Sequence, residues 1–371
     1  MSNRMPKVTI VISTYNRPDV LLVAIKSVVL QTFSDWKILI IGDNCDQQTE
    51  KALSSFNDTR ITYINLPHRV GDQSGPNSVG IALATTKYIA FMNQDDVWLQ
   101  DHLEYAIETL EKTKSDFFIG KSAFARNSKI TKNMMEPIFD FVSPDYRTPD
   151  MSYDKDFNFF ESVSSWVINA NEAKRIGYWK QPREIHRMPI QNWVMRAWRK
   201  KTKFIFGNRF TVLNLYPNLK TKNRYSVKSL EHVFILDLLE NNNPDFIRKF
   251  AEDSFERNKT PSTTEHNEDF PLLTLEFKSL KLKIPKLKIK RKYNQIVMKI
   301  LLSRFAKNLF KYTGFDSYEI FFTLLRSEKG KDFKIFSVAR TGKPLPKKVE
   351  IKMVIDEVKS SLNLFPGINE K

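Results

Sequence analysis

Two adjacent carboxylates, Asp95 and Asp96, follow an apolar run at residues 88–92. If that run is a strand, both side chains lie on the loop beyond its carboxyl end, where open parallel sheets bind their ligands. Mg²⁺ and Mn²⁺ prefer oxygen ligands and combine one or two protein carboxylates with phosphate oxygens. The pair therefore predicts a site for Mn²⁺ or Mg²⁺. The alternative role is to cap a helix that begins near Leu99.

Polar residues also follow two other apolar runs. Thr14, Tyr15 and Asn16 come after the run at residues 8–13, and Asp43 comes after the run at residues 37–42. A GxGxxG motif does not follow the first run, which argues against a dinucleotide-dependent dehydrogenase, and no GxxxxGK[ST] loop occurs. These residues predict a ligand site that handles phosphate charge without a glycine-rich loop.

Short β-rich runs alternate with helical periodicity over residues 7–114, which predicts βαβ units and a mostly parallel sheet. Beyond residue 116 the alternation weakens, and the composition of residues 130–160 is typical of a loop. The predicted strands are residues 8–13, 37–42, 60–66, 88–92 and 164–168. The first predicted helix begins at Pro18. The other predicted helices cover residues 49–56, 78–85, 102–114, 171–176, 191–199 and 231–256, and the last is interrupted near residues 241–244.

Composition narrows the class of protein further. The 371 residues carry a net charge of +17, which favours anionic partners, while the absence of a recognisable nucleic-acid-binding motif argues against DNA or RNA. One cysteine excludes an intrachain disulfide. No apolar run reaches the roughly 18 residues that span a bilayer, and the N-terminus lacks the apolar core of a signal peptide. We therefore expect a cytoplasmic protein.

Several motifs occur together in an order and spacing that resemble one enzyme family. They are VTIVISTYNRP at residues 8–18, SVVLQTF at 27–33, IIGD at 40–43 and YIAFMNQDDVW at 88–98, with weaker matches in SSWVI at 164–168 and QNWVMRAW at 191–198. This pattern is similar to the family 2 glycosyltransferases. The resemblance implies an α/β, GT-A-like domain at residues 1–215, with a mostly parallel nucleotide-binding sheet flanked by helices. Residues 1–115 would bind the nucleotide sugar and residues 116–215 the acceptor.

The resemblance also implies roles for the residues at the strand ends. Tyr15, next to Thr14, would pack on a pyrimidine, and Asp43 would accept a hydrogen bond from its N3–H, so UDP or dTDP sugars are favoured. Asn93-Gln94-Asp95 occupies the DxD position of the family: Asp95 would bind the cation, with Asp96 beside it, and Asn93 or Gln94 would contact ribose and diphosphate. Asn93 replaces the usual first carboxylate, and an amide brings no charge to a metal.

The family's inverting reaction needs a general base that takes the proton of the acceptor hydroxyl. Asn192 stands where the family has an aspartate, and asparagine is not a base at neutral pH. Glu184 and His186 lie a few residues upstream and are the candidate substitutes, with solvated loop side chains as the alternative reading. Three Trp residues, Trp179, Trp193 and Trp198, could stack on sugars, although core packing is expected for at least two of them.

Residues 216–269 are predicted to form a helical extension and linker, and residues 270–371 a basic accessory region. Residues 278–292 carry eight Lys or Arg and no acidic residue. An amphipathic helix with Val297, Leu301, Phe305 and Leu309 on one face follows. A basic helix with an apolar stripe suits the anionic inner surface of a membrane, and a helix packed on the protein with a charged outer face is the alternative.

Together these features predict an inverting, metal-dependent transferase of cell-surface polysaccharide biosynthesis. It would move a hexose or related sugar from a nucleotide diphosphate to a saccharide or lipid-linked acceptor. Two other classes of function stay open. Asn93 and Asn192 fit a binding pseudoenzyme or scaffold, and the charge alone fits a nucleic-acid-binding protein.

Overall fold

The computed structural model describes most of the first 258 residues and a short C-terminal segment. The described residues are 6–54, 56–131, 134–143, 162–182, 184–185, 189–215, 229–258, 346 and 348–364. They separate into two units, and almost all described residues belong to the first. Of the second unit, which comprises Pro182–Arg187 and Thr260–Phe333, only Pro182, Glu184 and Ile185 are described. The predicted amphipathic and basic segment at residues 278–311 lies outside the described residues.

The N-terminal half of the first unit is a parallel sheet with helices between its strands. The strands are β1 (Val8–Thr14), β2 (Trp36–Gly42), β3 (Ile61–Asn65) and β4 (Tyr88–Asn93), in the order β3-β2-β1-β4. The helices are α1 (Pro18–Val29), α2 (Gln47–Leu53) and α3 (Ser74–Leu83). β1, β2 and β4 are buried along nearly their whole length, as expected for strands covered on both faces. The predicted α/β fold class is confirmed.

The sheet continues beyond β4 with mixed pairing. β8 (Trp166–Asn169) runs antiparallel to β4 and to β6 (Phe117–Thr131), β9 (Phe204–Leu215) runs parallel to β6, and β5 (Asp96–Trp98) is antiparallel to β9. The prediction of a mostly parallel sheet therefore holds for β1 to β4, whereas beyond β4 only the β6–β9 pair is parallel among the described strands. The remaining helices of this part are α4 (His102–Thr113), α5 (Ala170–Ile176) and α6 (Pro189–Arg199).

The prediction that residues 130–160 form a loop is wrong for residues 130–131 and 134–143, which lie in strands. β6 extends to Thr131, and β7 (Met134–Ser143) pairs with it antiparallel. Among the described strands β7 contacts β6 alone, so it is an edge strand, where Pro137 is tolerated because no second neighbour needs its missing N–H. Phe139 of β7 is fully buried, and its N–H donates to Ser254 Oγ at 3.0 Å.

Two helices pack against β7. They are α7 (Leu230–Asn241) and α8 (Pro244–Asn258), so the predicted interruption near residues 241–244 is confirmed. Pro244 begins α8 because proline favours the first helical turn. Ile235 and Leu239 of α7 and Ile247 of α8 are buried with Phe139 in one apolar cluster.

The final described element, α9 (Ile351–Leu364), packs against α3. Val354, Ile355 and Val358 are buried in the same apolar cluster as Val79 of α3. Gly80 of α3 faces β1 so closely that an added Cβ would lie 2.3 Å from Val11 Cγ1. The predicted region boundaries at residues 215 and 269 stay predictions. No helix within the described ranges combines the length and apolarity that a membrane crossing requires.

Candidate functional site

The carboxyl ends of β1, β2 and β4 lie side by side and bring the predicted donor-site residues to one edge of the sheet. In the strand register Thr14 pairs with Gly42, and Ser13 pairs with Asn93. Asp43 follows Gly42 directly, and Gln94 and Asp95 follow Asn93. Three segments far apart in the sequence therefore meet where a doubly wound sheet binds its ligand.

Gln94 joins the ends of β1 and β4 through its side chain. Its Oε1 accepts hydrogen bonds from Thr14 Oγ1 at 2.7 Å and from the Tyr15 backbone N–H at 2.9 Å. Thr14 and Gln94 are both buried, with 3% and 5% exposure. The amide oxygen of Gln94 is therefore used within the protein, and Gln94 fixes the backbone from which the Tyr15 ring projects.

Asp43 is buried and holds the loop that follows β3. Its Oδ1 accepts from the Val70 N–H at 2.6 Å, and its Oδ2 accepts from the Gly71 N–H at 2.8 Å. Burial raises the pKa of Asp43 to about 6, although these two N–H groups and the Arg69 charge act in the opposite direction. Each carboxylate oxygen has a second lone pair, so the group can still accept a hydrogen bond from a ligand.

Tyr15 lies beside Arg69, a residue of the loop that follows β3. The Arg69 guanidinium carbon is 4.5 Å from the centre of the Tyr15 ring, within cation–π distance. Both residues are partly exposed at the sheet edge. The loop after β3 thus contributes a cation next to the aromatic ring and next to Asp43.

Asp96 forms part of a buried polar network. Its Oδ2 accepts from Asn93 Nδ2 at 2.9 Å, from Ser162 Oγ at 3.4 Å and from Ser164 Oγ. Burial and the neighbouring Asp95 charge raise the pKa of Asp96 above its ordinary range. Asp96 lies in β5 and α4 begins at His102, so the alternative role of capping a helix near Leu99 is wrong. The metal role of Asp96 stays a prediction, but the contacts of its Oδ2 are those of a structural carboxylate.

Asp95 differs from Asp96 in exposure and in contacts. It is partly exposed, and its carboxylate makes no hydrogen bond or ion pair with the residues that the structure describes. Its backbone carbonyl, by contrast, lies 3.0 Å from His232 Nε2 on α7. No group of three or more His, Cys, Asp or Glu in the described part could hold a metal. A single free carboxylate fits Mg²⁺ or Mn²⁺, which usually keep water and phosphate oxygens as their other ligands.

Asn192 is buried in α6, and its Oδ1 accepts from Arg196 Nε at 3.2 Å. Arg196 also donates to the backbone carbonyls of Ile176 and Tyr178, at 3.0 and 2.6 Å. Trp179 and Trp193 are buried with their rings stacked 5.4 Å apart, which confirms the expected core packing for two of the three Trp residues. Asn192 thus belongs to a network that fixes α6.

The two candidate bases, Glu184 and His186, lie outside the sheet of the first unit. Glu184 lies in a turn that belongs to the second unit, and His186 lies outside the described residues. Their role as the general base stays a prediction.

Part of the chain is similar to known proteins. Residues 9–176 match the family model described as Glycosyl transferase family 2. It is 27% identical over 130 residues, 35% of this chain and 51% of the relative, to the Escherichia coli UDP-Glc:alpha-D-GlcNAc-diphosphoundecaprenol beta-1,3-glucosyltransferase WfgD. It is 35% identical over 101 residues, 26% of this chain and 36% of the relative, to the putative colanic acid biosynthesis glycosyl transferase WcaA of Escherichia coli K12.

A solved structure of Staphylococcus aureus TarS 1-349 in complex with UDP-GlcNAc is also similar, with a TM-score of 0.47 and 14% identity over 68% of this chain and 71% of that chain. The matched stretch spans about half the length of WfgD. The family-model match ends at residue 176, before α7, so it includes neither His232 nor the helix that carries it.

Proposed function

We propose that this chain is an inverting glycosyltransferase that uses a UDP or dTDP sugar and a divalent cation. One observation carries the proposal: the ends of β1, β2 and β4 bring Tyr15, Asp43 and Asp95 to one sheet edge. Tyr15 offers an aromatic face, Asp43 an acceptor for the N3–H of uracil or thymine, and Asp95 an uncommitted carboxylate. An adenine or guanine does not present the same N3–H donor.

In the proposed reaction the acceptor hydroxyl attacks the anomeric carbon from the face opposite the diphosphate. The bond to the diphosphate oxygen breaks, and the hydroxyl proton passes to a base. A divalent cation held by Asp95 would supply positive charge to the leaving diphosphate. Arg69, beside Tyr15 and Asp43, is a protein cation close to this site.

The acceptor is proposed to be a saccharide or lipid-linked sugar of a cell-surface polysaccharide. The names of several relatives support this class: a lipid diphosphate sugar is the acceptor of WfgD, and other relatives are named for colanic acid, succinoglycan and teichuronic acid biosynthesis. Contact of residues 278–311 with an anionic membrane stays a prediction. Release of the protein from anionic vesicles by raised salt would test it.

A binding pseudoenzyme is the second candidate, and Asn192 favours it. The position expected to supply the base holds an amide that accepts from Arg196. Either another group such as Glu184 takes the proton, or the attacking oxygen is already anionic, or no transfer occurs. Release of UDP from UDP-sugars in the presence of acceptor lipid separates an enzyme from a binding protein.

Calorimetric titration of nucleotides with and without Mn²⁺ tests the donor site. We expect UDP and dTDP to bind more tightly than ADP and GDP, and Mn²⁺ to increase their affinity. Asp95→Asn should remove the Mn²⁺-dependent increase because the amide brings no charge to the cation. The matched control is Asp58→Asn, since Asp58 precedes β3 at the opposite edge of the sheet and pairs with Arg60.

Two results would contradict the proposal. One is equal affinity for pyrimidine and purine nucleotides, which would remove the role of Asp43. The other is an Asp95→Asn variant that keeps the full Mn²⁺-dependent increase, which would remove the metal assignment. A loss that appears equally in Asp58→Asn would indicate a general effect of lost negative charge.

A further inference from the structure

His232 lies on the first turn of α7, beyond the region that matches the family model. Its Nε2 is 3.0 Å from the backbone oxygen of Asp95, a residue 137 positions earlier in the chain. The imidazole is 1% exposed. The contact therefore joins α7 directly to the loop that presents the candidate metal ligand.

The identity of the partner fixes the role of each ring nitrogen. A carbonyl oxygen only accepts hydrogen bonds, so Nε2 must carry the proton and donate. The other nitrogen, Nδ1, is 2.7 Å from Ser229 Oγ. The ring is therefore held from both sides, and its rotation would break both contacts.

The helix that carries His232 is itself anchored. Glu231 is buried; its Oε1 accepts from Ser128 Oγ at 2.9 Å, and its Oε2 lies 3.0 Å from the Ser229 Oγ that also faces His232 Nδ1. Ile235 and Leu239 of α7 are buried in the apolar cluster beneath β7. Because α7 is fixed in this way, the His232 N–H is a rigid donor rather than a mobile one.

The loop after β4 then has two attachment points. Gln94 is tied by its side chain to Thr14 and Tyr15, and Asp95 is tied by its main chain to His232. The Asp95 carboxylate itself makes no hydrogen bond or ion pair with the described residues. A carboxylate projecting from a backbone that is fixed on both sides loses little further freedom when it binds a cation.

We propose that His232 is a positioning residue that holds the Asp95 main chain so that its carboxylate faces the donor diphosphate and its cation. This inference rests on the proposed function, because it assigns His232 to the metal side of the donor site. His232 does not touch the donor itself; it acts through Asp95.

A pair of polar substitutions tests the contact. In His232→Gln the amide nitrogen occupies nearly the position of Nε2 and still reaches the Asp95 carbonyl, whereas in His232→Asn the shorter side chain does not. We expect His232→Asn to reduce the Mn²⁺-dependent gain in UDP affinity roughly 3- to 10-fold, the equivalent of one net hydrogen bond. His232→Gln should retain that gain within about twofold, and affinity without Mn²⁺ should be unchanged in both.

His102 provides the matched control. It is a fully buried histidine on α4, and its Nδ1 lies 2.9 Å from Thr211 Oγ1. His102→Asn should lower the unfolding temperature but leave the Mn²⁺-dependent gain intact. A folded His232→Asn variant with the full gain, or equal losses in the Gln and Asn variants, would overturn the proposal. If His232→Asn does not fold, His232→Leu takes its place, because leucine fills the buried position but has no N–H for the Asp95 carbonyl; a full gain there would also overturn the proposal.

Failure of the proposed function would look different. In that case the wild-type protein itself would show no Mn²⁺-dependent UDP binding. Hydrogen exchange of the backbone amides at residues 94–98, measured without any ligand, then reads the contact alone. It should be faster in His232→Asn than in His232→Gln, and equal rates would overturn the positioning role.

Discussion

The Asp43 carboxylate holds a loop of the protein and is also the proposed acceptor for the N3–H of the ligand. Its contribution to folding stability and its contribution to ligand affinity change with pH in opposite directions. Its carboxylate accepts from two backbone N–H groups, and burial raises its pKa to about 6. The raised pKa means that the ionised form is disfavoured in the folded state. The stability from this group is therefore fully present below its ordinary value of 3.8 and is lost as the pH rises through about 6.

The affinity for the nucleotide should instead decrease as the pH falls. The N3–H of uracil needs an acceptor, and a protonated Asp43 has a hydrogen of its own to place. We expect UDP affinity to fall toward tenfold per pH unit below about 6, while this group's contribution to the free energy of unfolding increases. Calorimetry and urea unfolding between pH 5 and 7.5 measure the two quantities.

The control for that experiment is Asp43→Asn, which removes the titration. Its amide NH₂ faces one of the two backbone N–H donors, so the variant should lose about 1–3 kcal/mol of unfolding free energy through an unpaired buried group. Its UDP affinity should be lower and nearly independent of pH. A wild-type affinity that increases on acidification would contradict the role of Asp43.

At the scale of elements, the sequence predicts best what depends on local pattern. β1 to β4 were foreseen because each is a continuous apolar run that ends in polar residues, and the chemistry follows from where those runs end. β7 was missed because Pro137 and the mixed composition around it are typical of a loop, and its edge position explains why it is a strand. β9 has no equally clear pattern, and no strand was predicted there.

Some residues of the candidate site were predicted from the sequence, and others were not. Asp43 and Asp95 follow predicted strands, so the sheet edge brings them together as expected. The contribution of His232 depends on one contact with a backbone oxygen 137 residues away, and no motif marks it. The burial of Asp96 depends on Ser162 and Ser164, which follow a segment without periodicity.

The helix α6 carries Asn192, the position predicted from the resemblance to correspond to the base, and the packing of α6 leads to a prediction for Asn192→Asp. A carboxylate there would pair with Arg196, whose Nε already donates to the residue 192 side chain at 3.2 Å. An ion pair in a buried site lowers the pKa of a carboxyl group, and a base with a low pKa is weak. We expect transfer to increase far less than the 10²- to 10⁴-fold that a general base supplies.

Two controls make that measurement decisive. Glu184→Gln should reduce turnover by about 10² to 10⁴ if Glu184 takes the acceptor proton, with donor affinity unchanged. An Asn192→Asp variant combined with Arg196→Gln releases the carboxylate from its ion pair. A gain above about 10²-fold in Asn192→Asp alone would show that residue 192 faces the acceptor and that the site lacks only its base.

At the scale of the whole molecule, the chain returns to its N-terminal domain after a long interval. α9 lies against α3, and its buried residues share an apolar cluster with Leu66 and Val70 of the β3 to α3 connection. His68 Nε2 in that connection is 3.6 Å from Glu357 Oε2 of α9. Val70 is also the residue whose N–H donates to Asp43. Helix α9, within the predicted accessory region at residues 270–371, thus packs on the loop that donates to Asp43.

Ile355→Ala tests whether α9 belongs to the core of the domain. Ile355 is 2% exposed, so its truncation should leave a cavity and lower the free energy of unfolding by about 2–5 kcal/mol. Met353→Ala on the same helix is the matched control, because Met353 is 43% exposed and its loss should cost less than about 0.5 kcal/mol. Urea unfolding monitored by tryptophan fluorescence reports on the domain core, since Trp166, Trp179 and Trp193 lie in the same cluster as Ile355. Equal, small effects of both substitutions would mean that α9 detaches without disturbing the sheet, whereas a selective loss in Ile355→Ala makes the C-terminal helix a structural part of the donor-binding domain.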